Sequence, residues 1–201
     1  MTRPNRLATA LAAAAVSATL ASGCTAAGGA HPVSSPSGPG AATASFSAMG
    51  LAFRYPAAWR IGRWSTDVSS FTALIVDLST SRLKDPCTVT SRPGRRLVSC
   101  GYPVTALPAG GVLVSWSADG FPSPPLPQAN TTIAGRRASE TRTSGGWCAT
   151  LRGTETITVI IPRNAPDNWY EMNACLRAPG LARPEAEIAS MLSSVRIAKG
   201  Y

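Results

Sequence analysis

The sequence predicts an α+β fold: a mainly antiparallel β-sheet with a C-terminal helix packed on one face. Three segments carry that expectation. Thr156 to Ile161 (TITVII) sets Ile157, Val159 and Ile161 on one face and Thr156 and Thr158 on the other, the period of a strand. Val112, Val114 and Trp116 alternate with Leu113, Ser115 and Ser117 in the same way. Near the C-terminus Ile188, Met191 and Leu192 recur at helical spacing and give one apolar face. An antiparallel sheet with a helix laid on it is the simplest arrangement of such elements.

Taken in chain order, residues 1–23 read as a lipoprotein signal peptide. Arg3 and Arg6 precede an uncharged, alanine-rich stretch from Leu7 to Leu20, and Ala21, Ser22 and Gly23 follow. A basic start, an apolar run and a small-residue end make a secretory signal. The run is short and weakly hydrophobic for a membrane span. LASGC, residues 20–24, resembles the bacterial lipobox, in which the cysteine becomes the lipidated first residue. Ala21 stands where that motif usually has Leu, Val or Ile, which keeps ordinary signal cleavage and free secretion as the alternative. Cys24 is therefore the expected lipidation site. Two acyl chains such as palmitate, at about 0.8 kcal/mol per buried methylene, hold a protein stably on a membrane where one does not.

Residues 24–45 are read as the lipidated cysteine and a flexible linker. Thr25 to Ser45 holds no charged residue and no large apolar side chain, so it nucleates no core. Such a linker spans roughly 25 Å. Residues 46–201 are read as a single extracytoplasmic α+β domain. The chain carries a formal net charge of +9, with 19 Lys and Arg against 10 Asp and Glu. An arginine bias of high-G+C coding is sufficient to explain that excess.

Within the domain, Phe71 to Leu78 (FTALIVDL) is apolar on both faces and reads as a central strand. Next comes CTVTSRPGRRLVSC, Cys87 to Cys100. Pro93-Gly94 suits the two central turn positions, so Arg92 faces Arg95 and paired numbers sum to 187. Cys87 and Cys100 then lie directly opposite on a non-hydrogen-bonded pair, about 4.5 Å apart at Cα and within disulfide reach. Cys148–Cys175 follows by elimination among the four domain cysteines, all expected oxidised outside the cytoplasm. A simple meander from Cys148 through Thr156–Ile161 to Cys175 sets a strand between them. Either the strand order differs from a meander or the pairing is wrong. Pro184 fits the first helical position, with Glu185 and Glu187 in the first turn. Val195 and Ile197 alternate as a last strand.

LAFRYPAAWR (Leu51 to Arg60) resembles the start of PsbP-like domains, and EIASMLSSVRI (Glu187 to Ile197) resembles their closing helix and strand. AGRRA (Ala134 to Ala138) and NWYEMNACLRAPG (Asn168 to Gly180) are similar to segments of PsbP-like lipoproteins of high-G+C, actinobacterial species. The resemblance implies an antiparallel sheet between helices, an α/β/α sandwich, and implies no reaction and no catalytic set.

The residues themselves argue against several chemistries. His31, the only histidine, lies in the linker, so no Ser-His-Asp or Cys-His arrangement is available to the domain. The domain cysteines lack zinc spacing, and neither a phosphate loop nor a calcium loop appears. No catalytic residue, metal or cofactor is expected. Asp67, Asp77, Asp85, Asp119, Glu140, Glu155, Asp167 and Glu171 are candidate carboxylates, with nothing to pair any two. Arg92, Arg95 and Arg96 form a candidate contact for anionic headgroups or wall polymers, or simply a solvated hairpin tip. Trp169 and Tyr170 are a candidate pocket lining, and Trp59 and Trp116 read as core.

The expected function is a membrane-anchored, non-enzymatic binding or accessory module of the cell envelope. Its partners are the membrane, through the anchor, and an envelope protein, lipid or polymer, with no nucleic acid. The alternative is a carboxylate-dependent enzyme acting on an envelope polymer. Two carboxylates clustered in a deep cleft would favour the enzyme; an apolar or basic groove without them would favour binding.

Overall fold

The computed structural model of the chain describes residues 42–64, 72–93, 95–120, 126–164 and 168–201. Cys24, His31, Asp67 and Asp167 lie outside the described residues, as do the signal segment and most of the linker. The strands are β1 (Thr43–Ala48), β2 (Leu51–Pro56), β3 (Arg60–Gly62), β4 (Thr72–Ser79), β5 (Cys87–Arg92), β6 (Arg95–Cys100), β7 (Val112–Gly120), β8 (Thr131–Ile133), β9 (Arg136–Ser144), β10 (Glu155–Pro162), β11 (Asn168–Leu176) and β12 (Arg196–Ile197). A 3₁₀ helix spans Gly146–Leu151, and α1 spans Ala182–Ser193.

Among the described residues all the pairings are antiparallel. Seven strands lie in the order β3-β4-β7-β11-β10-β9-β8, three in the order β1-β2-β12, and β5 pairs with β6 alone. The fold is therefore α+β and mainly antiparallel. β1 begins at Thr43, three residues before the boundary drawn from sequence. TASFSA pairs small residues with Phe46, so its first half resembles linker. Only the register with β2, where Phe46 meets Phe53, makes it a strand.

The main core lies on one face of the large sheet. Ile157, Val159, Ile161, Val112, Val114 and Trp116 are fully buried there, as the period-two reading expects. The three-stranded sheet and α1 close this core. Phe53 of β2 stacks on Trp116 with centroids 5.4 Å apart, and Ile188, Met191 and Leu192 of α1 join the same cluster. Trp59 belongs to it as well. The helix starts two residues before Pro184, which sits in the first turn where its missing N–H has no helical partner. Among the described residues no helix is long and apolar enough to cross a membrane.

β4 departs from strict alternation. Its register against β7 slips between Leu74 and Val76, a bulge. The extra residue brings Leu74 and Asp77 to the same face, against Ser117 and Ser115. This is why FTALIVDL looks apolar on both sides. The strand is second from one edge of the sheet, flanked by β3 and β7, with Phe71 outside the described residues.

The β5–β6 hairpin has the expected register throughout, from Arg92 opposite Arg95 to Cys87 opposite Cys100. The two cysteines are bonded, with Cα atoms 4.0 Å apart. Cys148 and Cys175 are also bonded, with Cα atoms 5.4 Å apart. The strand order β9-β10-β11 is nevertheless a meander, so neither of the two outcomes posed by the sequence holds. Cys148 is not in a strand at all. It sits in the 3₁₀ helix, which folds back over the end of β10 and carries the sulfur across to β11.

Candidate functional site

The second face of the large sheet is polar where the first is apolar. Alternation within β4, β7, β11 and β10 aligns Asp77, Ser115, Asn173 and Thr158 in one row across four strands. The next row along holds Leu74, Ser117, Glu171 and Ile160, and the one beyond it Thr72, Asp119 and Trp169. One end of this face is covered by a small second core of Val104, Leu107, Leu113, Leu151 and the Cys148–Cys175 bond. Beyond that cover Leu74, Glu171 and Trp169 are half-buried. At the boundary the segment Gly101-Tyr102-Pro103 and Trp147 of the 3₁₀ helix rise over the sheet and form a cleft of about 370 Å³. Its floor is Asp77, Ser115, Glu171 and Asn173.

Hydrogen bonds fix the floor. Asp77 is 1% exposed, and its two oxygens accept from Ser115 Oγ at 2.5 Å and Trp64 Nε1 at 2.6 Å. Glu171 accepts from Asn173 Nδ2 at 2.6 Å and Trp169 Nε1 at 3.4 Å, again one donor per oxygen. Thr158 donates to Asn173 Oδ1 at 2.8 Å and so sets the orientation of the amide. Ser117 donates to Asp119 at 2.6 Å. Burial pushes the Asp77 carboxyl above its ordinary value, against the opposing pull of the Ser115 and Trp64 donors.

The rim is aromatic. Tyr102 and Trp147 stack with centroids 5.3 Å apart and planes 18° from parallel, and Tyr102 is 41% exposed. Each rim residue is next to a cross-link. Tyr102 follows Cys100 by two positions, Trp147 precedes Cys148 directly, and Cys175 stands two residues beyond Asn173 on the same face of β11. The connecting chain is tied down as well: Gly101 N–H donates to the Pro86 carbonyl at 2.7 Å and Lys84 N–H to that of Pro103 at 2.8 Å.

Of the carboxylates singled out in the sequence, the fold brings Asp77 and Glu171 into one cleft, with Asp119 on the same face. Glu140 and Glu155 instead pair with Arg142 at the β9–β10 edge. Asp85 caps the start of β5, accepting from Cys87 N–H at 2.9 Å. Trp169 and Tyr170 do not line one pocket, because neighbours in a strand point to opposite faces. Tyr170 is fully buried in the main core, where its hydroxyl donates to the Met49 carbonyl at 2.5 Å, whereas Trp169 serves Glu171 on the polar face. The backbone sets Arg92 opposite Arg95 at the hairpin end and Arg96 opposite Ser91; an anionic contact there rests on side chains outside those described.

Tyr102, Trp147 and Trp64 were not singled out as site residues by sequence reasoning. Two signals were available: an aromatic beside a cysteine in CGY and WC, and an aspartate inside an otherwise apolar strand. A second cleft of about 410 Å³ beside β1 and β2 is lined by Phe46, Phe53, Arg54 and Arg196 with serines. Its two aromatics are almost fully buried, and neither disulfide adjoins it. Among the described residues no group of three or more His, Cys, Asp or Glu is placed to hold a metal ion. Compared with protein-family models and with curated proteins, the chain matches none.

Proposed function

We propose that the protein is a lipid-anchored, extracytoplasmic lipoprotein that acts as a non-catalytic binding or accessory module of the cell envelope, and that it binds its partner in the Tyr102–Trp147 cleft. The observation that carries this reading is the position of the two disulfides. Both flank the same cleft, where they hold its aromatic rim in place before any ligand arrives. Two disulfides also suit an oxidising compartment outside the cytoplasm. Anchoring at Cys24, on the outer face of the cytoplasmic membrane, rests on LASGC and the uncharged linker; free secretion is the alternative. The partner class is an envelope protein, lipid or polymer. LAFRYPAAWR and EIASMLSSVRI support reading the domain as PsbP-like. They fall on β2 with its following turn and on α1 with β12. Among the described residues the opposite face of the sheet carries a 3₁₀ helix and the 101–111 segment rather than a second α-helical layer.

A second reading has one observation in its favour. Asp77 and Glu171 share the cleft, as a carboxylate-dependent enzyme acting on an envelope polymer would require. Against it, every oxygen of both carboxylates already accepts a hydrogen bond from the protein, and Asp77 is sealed from solvent. A carboxylate sealed from the cleft exchanges no proton with a substrate, which leaves Glu171 without a second carboxylate.

The test is a titration of the isotope-labelled domain with fractionated envelope lipids, polymers and proteins, followed through backbone amide shifts. The binding reading expects saturable shifts at residues 101, 102, 147 and 171–173, with the added material recovered unchanged. Turnover that is abolished in both Asp77→Asn and Glu171→Gln would establish the enzyme instead. Fatty-acid labelling of the full chain, lost in Cys24→Ala, tests the anchor; an unlabelled wild type free in the medium would remove it.

A further inference from the structure

We infer that the Tyr102–Trp147 cleft takes a ligand bearing an organic ammonium group, an inference that rests on the binding-module reading above. The first argument is charge. The chain has 19 Lys and Arg against 10 Asp and Glu, yet β4, β7 and β11 carry three carboxylates and no basic residue. Alternation and the β4 bulge put all three, Asp77, Asp119 and Glu171, on the cleft face. The cations that share this face by register, Arg60 of β3 and Arg137 of β9, stand on the strands outside these three.

The second argument is the missing counter-charge. Among the described residues the ion pairs are Arg142 with Glu140 and Glu155, and Arg183 with Glu187; none reaches the cleft. Carboxylates taken out of water are ordinarily paired with a cation, because leaving one uncompensated is strongly destabilising. Here Asp77, buried beneath the cleft, and Glu171, half-buried on its floor, have hydrogen bonds but no cation, so an ammonium bound against Glu171 supplies the charge that the fold withholds.

The third argument is the chemistry of the walls. Tyr102 and Trp147 form the rim, while Trp64 and Trp169, outside the lining, hold Asp77 and Glu171 through their indole N–H groups. Ring faces attract an alkylated ammonium, and carboxylates behind the rings add to that attraction. A hard metal ion instead requires several oxygen ligands around one point, a grouping the described residues do not provide. A sugar requires donors as well as acceptors. In this cleft the Ser115 hydroxyl already donates to Asp77 and the Asn173 amide to Glu171, so acceptors predominate.

The experiment titrates the oxidised domain with choline and with its uncharged isostere, in which a C(CH₃)₃ group replaces N(CH₃)₃⁺, and with glucose as the sugar arm. Amide shifts at Gly101, Tyr102 and Trp147 provide the readout. Choline is expected to saturate them and to bind at least about tenfold more tightly than the isostere. Glu171→Gln and Trp147→Ala should each weaken choline by roughly tenfold, Trp147→Phe by less, and added salt should weaken the wild type. Thermal unfolding of each variant confirms that it is folded. Equal binding of choline and isostere overturns the inference, since the charge would then contribute nothing. So does saturation by glucose without choline, and so does silence towards all three probes. In the last two cases, envelope material that still shifts the same amides leaves the binding module standing; if that material also fails, both fall.

Discussion

Replacing both Cys148 and Cys175 by alanine tests the most consequential link in the fold. The bond joins residues 27 apart, and both cysteines are fully buried among Leu107, Leu113 and Leu151. Closing a loop of that size removes about 3.5 kcal/mol of chain entropy from the unfolded state. For a domain of this length each kcal/mol shifts the midpoint by 2–4 °C, so Tm should fall by roughly 7–14 °C. The effect has a local signature too. The 3₁₀ helix is held over the end of β10 by this bond, by the burial of Leu151, and by backbone contacts such as Gly153 N–H to the Cys148 carbonyl at 2.8 Å. Without the bond Trp147 loses its fixed position against Tyr102. The near-ultraviolet dichroism of that stacked pair should therefore weaken well below Tm. Calorimetry and dichroism on the oxidised wild type and the double variant provide both readouts. A midpoint change under about 3 °C with the aromatic signal intact would refute the reasoning, since the cleft would then be held by packing alone.

Three further outcomes follow from the same geometry. Cys87→Ala with Cys100→Ala should act locally, because β5–β6 pairs with no other described strand and a lone hairpin is marginal in water. Amide exchange in residues 88–99 should accelerate far more than in β7 or β11, and uniform acceleration would contradict this. Asp77→Asn should alter the pH dependence of stability. The folded Asp77 carboxyl titrates above 3.8, so its contribution is fully present below that value and is lost as pH rises through the folded value. The Tm of the variant minus that of wild type should therefore rise from about pH 3 to pH 7, and a flat or falling difference sinks the assignment. Gly153→Ala should cost about 1–3 kcal/mol in denaturant unfolding, because a Cβ there runs into Cys175 Sγ and Cys148 Cβ. A neutral result would mean that the bond shifts freely.

Much of the scaffold was legible because its signals are local. Ile157, Val159 and Ile161 announce a strand face within six residues, and the sum of paired numbers around Pro93-Gly94 fixes the hairpin. The site was not legible, since its residues come from five separate elements. Asp77 reaches the cleft only because the bulge at Leu74/Val76 changes which side it faces. Glu171 and Asn173 read as ordinary polar alternation in β11, and their partners Trp169 and Thr158 are assigned only once the strand register is known. The doubt over Cys148–Cys175 arose from treating the stretch before β10 as strand. GWCATL has no helical apolar period, and the 3₁₀ helix it forms is held by the tertiary contacts it makes.

The placement of the cysteines has a consequence for how the chain is oxidised. The first domain cysteine pairs with the second and the third with the fourth, across separations of 13 and 27 residues. Each bond lies within one supersecondary unit, a hairpin or a meander. A chain that emerges from its N-terminus presents both members of Cys87–Cys100 before Cys148 appears, so the native pairs are also the consecutive ones. Closure of the main core is the opposite case. Ser194 accepts from Arg54 N–H, 140 residues earlier, and β12 completes the sheet begun by β1 and β2. The cross-links thus join consecutive cysteines within local units, while closure of the main core needs the last strand.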